Sequence, residues 1–464
     1  MKALAALLLV TFATALVTPA HSAGAVPPQP EPPRDFVLPA HQTITLDNGL
    51  DVTFIEFGKV PKVTVSATVR AGALNQGPNP WLADLTARML DEGTRRRSAA
   101  EVAIAAADMG GQLGIGAGDD QTSASLEVLS ESGPAAIALL AEVLMQPALS
   151  ATEFDRVRND AARGLAVART QPQALAGEAF RAALYPDHPY GLVFPTDAQL
   201  AGYTIDDVRR FYDENFGAQR THLYVAGQFD RRAMERAIRE SFGTWRRGPD
   251  VLIDIPEPAR TAQVRLIERA GAPQSTIYLG LPVVDPTHPD FMALSVMNTL
   301  LGGYFSSRIT ANIREDKGYT YSPNSSFGTR YRATTWVQVA DVTTKDTGAA
   351  LAEIVKEIER LRREPPDAAE LRAAQNYRNG VFLISNSTPE GLLGQLAFMN
   401  LHDLPDEWLT TFVERLYALT PEQISDAARK YLDPRAMTLV VVGDLPTVRP
   451  QIERLDFLDG VAID

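Results

Sequence analysis

The sequence has 464 residues, 45% hydrophobic and 22% charged, with a formal net charge of −13 and no cysteine. This composition is globular rather than disordered, collagen-like or membrane-embedded, and the length predicts more than one domain. The negative balance opposes binding to nucleic acid or anionic lipid, while the lack of cysteine excludes disulfides, a cysteine metal site and a lipoprotein anchor.

Lys2 precedes an apolar run from Ala3 to Val17, and small residues follow at Ala20, Ser22 and Ala23. The pattern predicts a secretory signal peptide over 1–23, because the run is shorter than the roughly 20 residues of a membrane span. Export without disulfides fits a bacterial periplasmic or secreted protein with no stable membrane anchor after cleavage. Pro27, Pro28, Pro30, Pro32, Pro33 and Pro39 then predict an extended leader over 24–42, outside the fold.

Residues 44–55 read as two strands around an Asn48-Gly49 turn, 63–69 as a further strand and 81–90 as a helix. Thr204 caps a helix ending near Phe216, and Thr221 opens a buried strand closed by Gly227. The pattern returns 216 residues later, where Thr420 caps a second helix and Thr438 opens a strand running into Gly443. Before that second copy, 263–268 and 275–281 read as strands and 291–301 as a helix. The repeat predicts an α+β protein of two homologous domains, 43–247 and 262–464, each a mixed, mainly antiparallel sheet packed with helices. They are expected to face each other across a cleft, with the Pro-containing stretch 248–261 as linker.

Beyond the signal region the histidines are His41, His188, His222, His288 and His402, none at helix-neighbour spacing, so no zinc helix can be written from them. A serine-nucleophile elbow is absent, and Gly302-Gly303 is not followed by the Gly-Lys-Ser/Thr of a phosphate loop. One segment stands out. Leu300-Leu301-Gly302-Gly303-Tyr304-Phe305-Ser306-Ser307-Arg308-Ile309 leads to Arg314-Glu315-Asp316-Lys317-Gly318-Tyr319-Thr320-Tyr321. It resembles the signature in the C-terminal half of the pitrilysin/insulinase (inverzincin) metallopeptidases, where a Gly-rich segment and Ser-Arg lead into Arg-x-x-x-Gly-x-x-Tyr. In that family the inverted zinc motif H-x-x-E-H precedes a tail that Met89-Leu90-Asp91-Glu92-Gly93-Thr94 matches. Counted back from the tail, Asp84 and Arg88 stand at the two histidine positions and Ala87 at the catalytic glutamate. Gly164 stands at the remote glutamate ligand.

The resemblance implies a chain that binds no cofactor itself but supplies Arg314 and Tyr321 to catalysis. Arg314 is expected at a helix end and Tyr321 in the strand after Gly318, with Tyr319 on the same strand face. Gly302, Gly303 and Tyr319 are expected to bind substrate, Arg308 to hold its loop, and Asp84 and Arg88 to form an i,i+4 ion pair. Family members of this kind, which also resemble subunits of mitochondrial processing peptidase, are zinc-free halves of heterodimers. The implied function is that of the non-zinc-binding subunit of a heterodimeric zinc metalloendopeptidase, inactive alone. Its implied partner is a homologous H-x-x-E-H subunit holding the zinc, and its substrate a peptide or unfolded protein. The alternative is a catalytically silent peptide-binding, regulatory or scaffold subunit.

Overall fold

In the computed structural model, which describes residues 35–464, the Asn48-Gly49 turn joins β1 (His41–Thr45) to β2 (Asp51–Glu56) with Thr45 opposite Asp51. The Asn48 amide donates to the carbonyls of Phe242 and Trp245 at 2.8 and 3.1 Å, fixing the hairpin to the end of the first half. The expected signal peptide lies outside the described residues. The expected leader needs correction where it is described: β1 begins at His41, inside 24–42, and Phe36 packs edge-on against Phe382 with ring centroids 5.1 Å apart. Phe36 and Leu38 thus cover core of the C-terminal half, so this stretch belongs to the fold. Proline bars a helix here but not an extended strap with buried side chains.

The first sheet adds β3 (Lys62–Val69), β4 (Leu113–Ala117), β5 (Thr122–Leu129) and β6 (Thr221–Gly227), in the order β1-β2-β6-β3-β5-β4. The second comprises β7 (Val264–Glu268), β8 (Gln274–Val283), β9 (Asn324–Arg330), β10 (Ala333–Thr343) and β11 (Thr438–Gly443), in the order β7-β11-β8-β10-β9. Without β1 the two orders are the same. Each sheet has one parallel pair, β2 with β6 and β7 with β11, and its other pairs are antiparallel. The repeat seen in the sequence is therefore a repeat of topology. Its caps recur too: Thr204 accepts from the Asp207 N–H and Thr420 from the Gln423 N–H, each in a reciprocal capping box.

Alternation along β6 and β11 explains how the halves join. Leu223 and Val225 face the first core, whereas Tyr224 and Ala226 point the other way, into the core of the second half. In β11, Leu439 and Val441 face that second core, while Val440 and Val442 meet Ala176, Phe180 and Leu184. Those three residues lie on the Pro172–Leu184 helix of the first half, which packs on the second sheet. Its counterpart in the repeat, the Pro389–Leu401 helix, packs on β3 and β6 of the first. Each half therefore lends a helix to the other's sheet, and β6 and β11 are buried on both faces. A polar clasp closes the same seam. Asp119 accepts from Arg181 at 2.8 Å and from Arg330 of the other half at 2.7 Å, and Asp120 accepts from the Tyr190 hydroxyl and the Tyr331 N–H. Residues 248–261 contain neither helix nor strand.

Candidate functional site

The helix that aligns with a zinc motif runs Leu82–Asp91 and buries Leu82, Leu85, Met89 and Leu90. Its entry is held by Trp81, whose indole N–H donates to the Val193 carbonyl at 2.9 Å. On the outer face Arg88 Nε lies 2.7 Å from Asp84 Oδ2, the expected i,i+4 pair. Both line a cavity of about 420 Å³ that Asp119 and Arg181 also border. Ala87 is buried, and Gly164, on the Ala151–Ala168 helix, is exposed with no atom within 4 Å of where a side chain would begin.

These four positions do not fit zinc. A tetrahedral site needs imidazole, thiolate or carboxylate donors; here Ala87 and Gly164 offer none, and the guanidinium of Arg88 both repels a cation and occupies the carboxylate of Asp84. Among the described residues no group of three or more His, Asp or Glu is placed to hold a metal ion. His222 instead stacks on Tyr224 at 4.2 Å and meets the Thr53 hydroxyl at 2.7 Å, and burial pushes its ring down to about 4. The tail after the helix serves the fold: the Thr94 hydroxyl donates to Glu142 at 2.6 Å, and Arg97 pairs with the same carboxylate at 2.5 Å.

In the second half, the Phe291–Asn298 helix widens into a π-helical turn, Thr299–Gly303. A Cβ at Gly302 would lie 2.5 Å from Ser325 Oγ, and one at Gly303 2.8 Å from Asn298 Nδ2. Groups of the same chain thus fill the space beside both glycines, so packing requires a residue without a side chain at each. Arg308 grips Glu370 through two nitrogens at 2.6 and 2.7 Å, as expected of a residue that fixes its loop.

Arg314 sits in a second π-helical stretch, Ala311–Asp316. Its guanidinium lies 4.9 Å over the ring of Tyr321, 4.2 Å over that of Phe305 and 3.1 Å from Glu315. The two expected catalytic side chains are thus together, and the Tyr321 ring is 77% exposed. Two expectations are corrected. Tyr321 lies in a bend, since regular pairing starts only at Asn324, just after Pro323 removes a backbone donor. Tyr319 consequently does not share a strand face with it: Tyr319 is half-buried against the core, and its N–H donates to the Ile313 carbonyl at 2.9 Å. Phe305, the second ring against Arg314, is the partner that spacing did not single out; its adjacency to Tyr304 within the Gly-rich segment was the only signal.

Strand register separates this pair from the vestigial helix. Arg330, bonded to Asp119, is opposite Ala333, whereas Thr320, next to Tyr321, is opposite Val342. Nine residues along β10 separate those partners, roughly 30 Å at ~3.3 Å per residue. Arg314 and Tyr321 therefore belong to the end of β10 opposite the Asp119 contact that borders the cavity beside Asp84 and Arg88.

Comparison with known proteins agrees with this anatomy. Residues 54–194 match the model of Insulinase (Peptidase family M16), and residues 202–377 that of the Peptidase M16 inactive domain. The chain is 22% identical over 409 residues to the uncharacterized zinc protease YmxG of Bacillus subtilis, covering 87% of this chain and 99% of that one. It is 27% identical over 290 residues to the uncharacterized zinc protease ML0855 of Mycobacterium leprae, covering 61% of this chain and 64% of the relative. A crystal structure of a peptidase M16 inactive domain from Pseudomonas fluorescens superposes with a TM-score of 0.81 at 26% identity, over 87% of this chain and 98% of that one. A protease from Helicobacter pylori shares the fold, with a TM-score of 0.82 at 19% identity over 88% of this chain and all of that one. With both halves matched in order and the duplicated fold in common, the chain belongs to peptidase family M16, the insulinase family.

Proposed function

We propose that this chain is the zinc-free subunit of a two-chain, exported metalloendopeptidase, lending Arg314 and Tyr321 to a site whose metal is held by a homologous H-x-x-E-H partner. The observation that carries this reading is the pair itself: an exposed phenol beneath a guanidinium, at the end of β10 away from the Arg330–Asp119 contact that borders the chain's own vestigial motif. Tyr321 is largely exposed, which leaves its hydroxyl open to a substrate. Because the four positions of the vestigial motif do not fit zinc, the pair is suited to serve a metal held by another chain.

The chemistry follows from the groups present. A tyrosine O–H donates to a carbonyl oxygen as that oxygen gains charge, and a guanidinium fork holds the neighbouring backbone carbonyls of a peptide. Stacking between two rings limits the motion of Arg314, so less order has to be imposed when substrate binds. The base and the metal-bound water would both belong to the partner, and the expected location is the bacterial periplasm.

The test is reconstitution. Mixed with the zinc-bearing sister chain, this protein is expected to raise cleavage of a quenched peptide well above that of the sister alone. Tyr321→Phe, which keeps the ring and removes the donor, is expected to lower turnover by ~10- to 1000-fold. A mixture no more active than the sister alone would refute the reading.

A further inference from the structure

Next to Arg314 and Tyr321 the surface is apolar where a soluble helix is ordinarily polar. The Ala368–Ser385 helix buries Leu371, Ala374 and Phe382, yet turns Tyr377, Val381 and Ile384 outward at i, i+4 and i+7, with Ile384 73% exposed. This stripe reaches the Gly-rich segment that also supplies a ring to Arg314. The Tyr377 ring packs on Tyr304 with centroids 5.1 Å apart; Phe305 follows in sequence, 65% exposed, and lies under the Arg314 guanidinium that also covers Tyr321. The Arg308–Glu370 bridge ties the Gly-rich segment to the first turn of the same helix, so the two parts of the surface hold a fixed relation.

We propose that Tyr304, Phe305, Tyr377, Val381 and Ile384 form a subsite for apolar side chains of an extended peptide, selecting substrates with large apolar residues at alternate positions. This rests on the reading of Arg314 and Tyr321 given above and adds a substrate class to it. The dimensions favour a peptide. Seven residues of helix separate Tyr377 from Ile384, about 10 Å at 1.5 Å per residue. Same-face side chains of an extended chain recur every ~6.7 Å, so the stripe receives two of them. The link through Tyr304 and Phe305 joins the stripe to Arg314, whose donors suit peptide carbonyls.

Binding is read without cleavage, by fluorescence anisotropy of a labelled octapeptide carrying phenylalanine at two alternate positions, against the same peptide with serine there. The full chain is expected to bind the phenylalanine peptide at least about tenfold more tightly. Val381→Asp combined with Ile384→Asp is expected to abolish that preference, whereas Val167→Asp, at an exposed apolar position on a helix of the other half, is expected to keep it. Unchanged melting temperatures would show that the variants fold. Equal affinity for the two peptides, or an undiminished preference in the double variant, would overturn the proposal. So would a double variant that loses the sister chain in sedimentation while keeping the peptide preference, since the surface would then be a subunit contact. A mixture in which Tyr321→Phe leaves turnover unchanged would sink the catalytic reading without altering the anisotropy result.

Discussion

Arg308 and Arg314 stand six positions apart in one motif, and their surroundings give them opposite duties. Arg308 is 8% exposed and doubly bonded to Glu370, so Arg308→Ala would strand a partly buried carboxylate. The expected cost is about 1–3 kcal/mol, visible as a lower denaturation midpoint. Arg314 makes two ring contacts and one pair with an exposed glutamate, and Arg314→Ala is expected to cost no more than about 1 kcal/mol while reducing turnover in the reconstituted pair. The arginines were legible in the sequence, but the partners that distinguish them were not, because Glu370 and Phe305 are brought up only by folding. His402 makes the same point. Burial pushes its ring down to about 4, and neither ring nitrogen has a partner among the described residues. A histidine neutral in the fold but protonated when unfolded below ~6.5 adds stability that is complete above that pH and is lost as pH falls toward 4. Stability is therefore expected to drop by about 3 kcal/mol per such histidine between pH 6.5 and 4, and His402→Phe is expected to flatten part of that slope in urea titrations.

At the scale of elements, features governed by neighbouring residues were readable in advance. The capping boxes at Thr204 and Thr420, the turn at Asn48-Gly49 and the i,i+4 pair of Asp84 and Arg88 each depend on groups within a few positions. From Gly318 to Pro323 alternating tyrosines predict a strand, whereas pairing there is a single bridge at Thr320 and regular hydrogen bonding waits until after the proline. The clasp on the β4–β5 turn was not legible either, since its partners lie in other elements. Burial alone would raise the Asp119 carboxyl, but the guanidiniums of Arg330 and Arg181 outweigh it and hold the group below its usual range. Its contribution is therefore present above the unfolded pKa of ~3.9 and is lost as pH falls through the lower folded value. Asp120 is raised by burial against the pull of its two hydrogen bonds, so its charge costs stability that acid restores. Asp119→Asn is expected to cost about 2–4 kcal/mol at pH 7, well above the cost of Asp120→Asn, and the difference to shrink below about pH 4 in urea titrations.

Over the whole molecule, the exchange of the Pro172–Leu184 and Pro389–Leu401 helices makes each half a partner in the other's core. Residues 262–464 expressed alone would expose Val440 and Val442, and residues 35–261 alone would expose Tyr224 and Ala226. Neither fragment is expected to give sharp near-ultraviolet dichroism or cooperative melting, whereas co-expression of the two is expected to restore both. Period and caps sufficed to reveal a duplicated α+β chain, and the motifs carried its resemblance to the insulinase family, because these properties reside in residue identity and short spacing. Which sheet each helix covers, where the strap 35–40 lies and at which end of β10 Tyr321 falls were settled by packing. Those outcomes depend on apolar faces hundreds of residues apart finding each other, and on a strand register that converts a few positions of sequence into tens of ångströms.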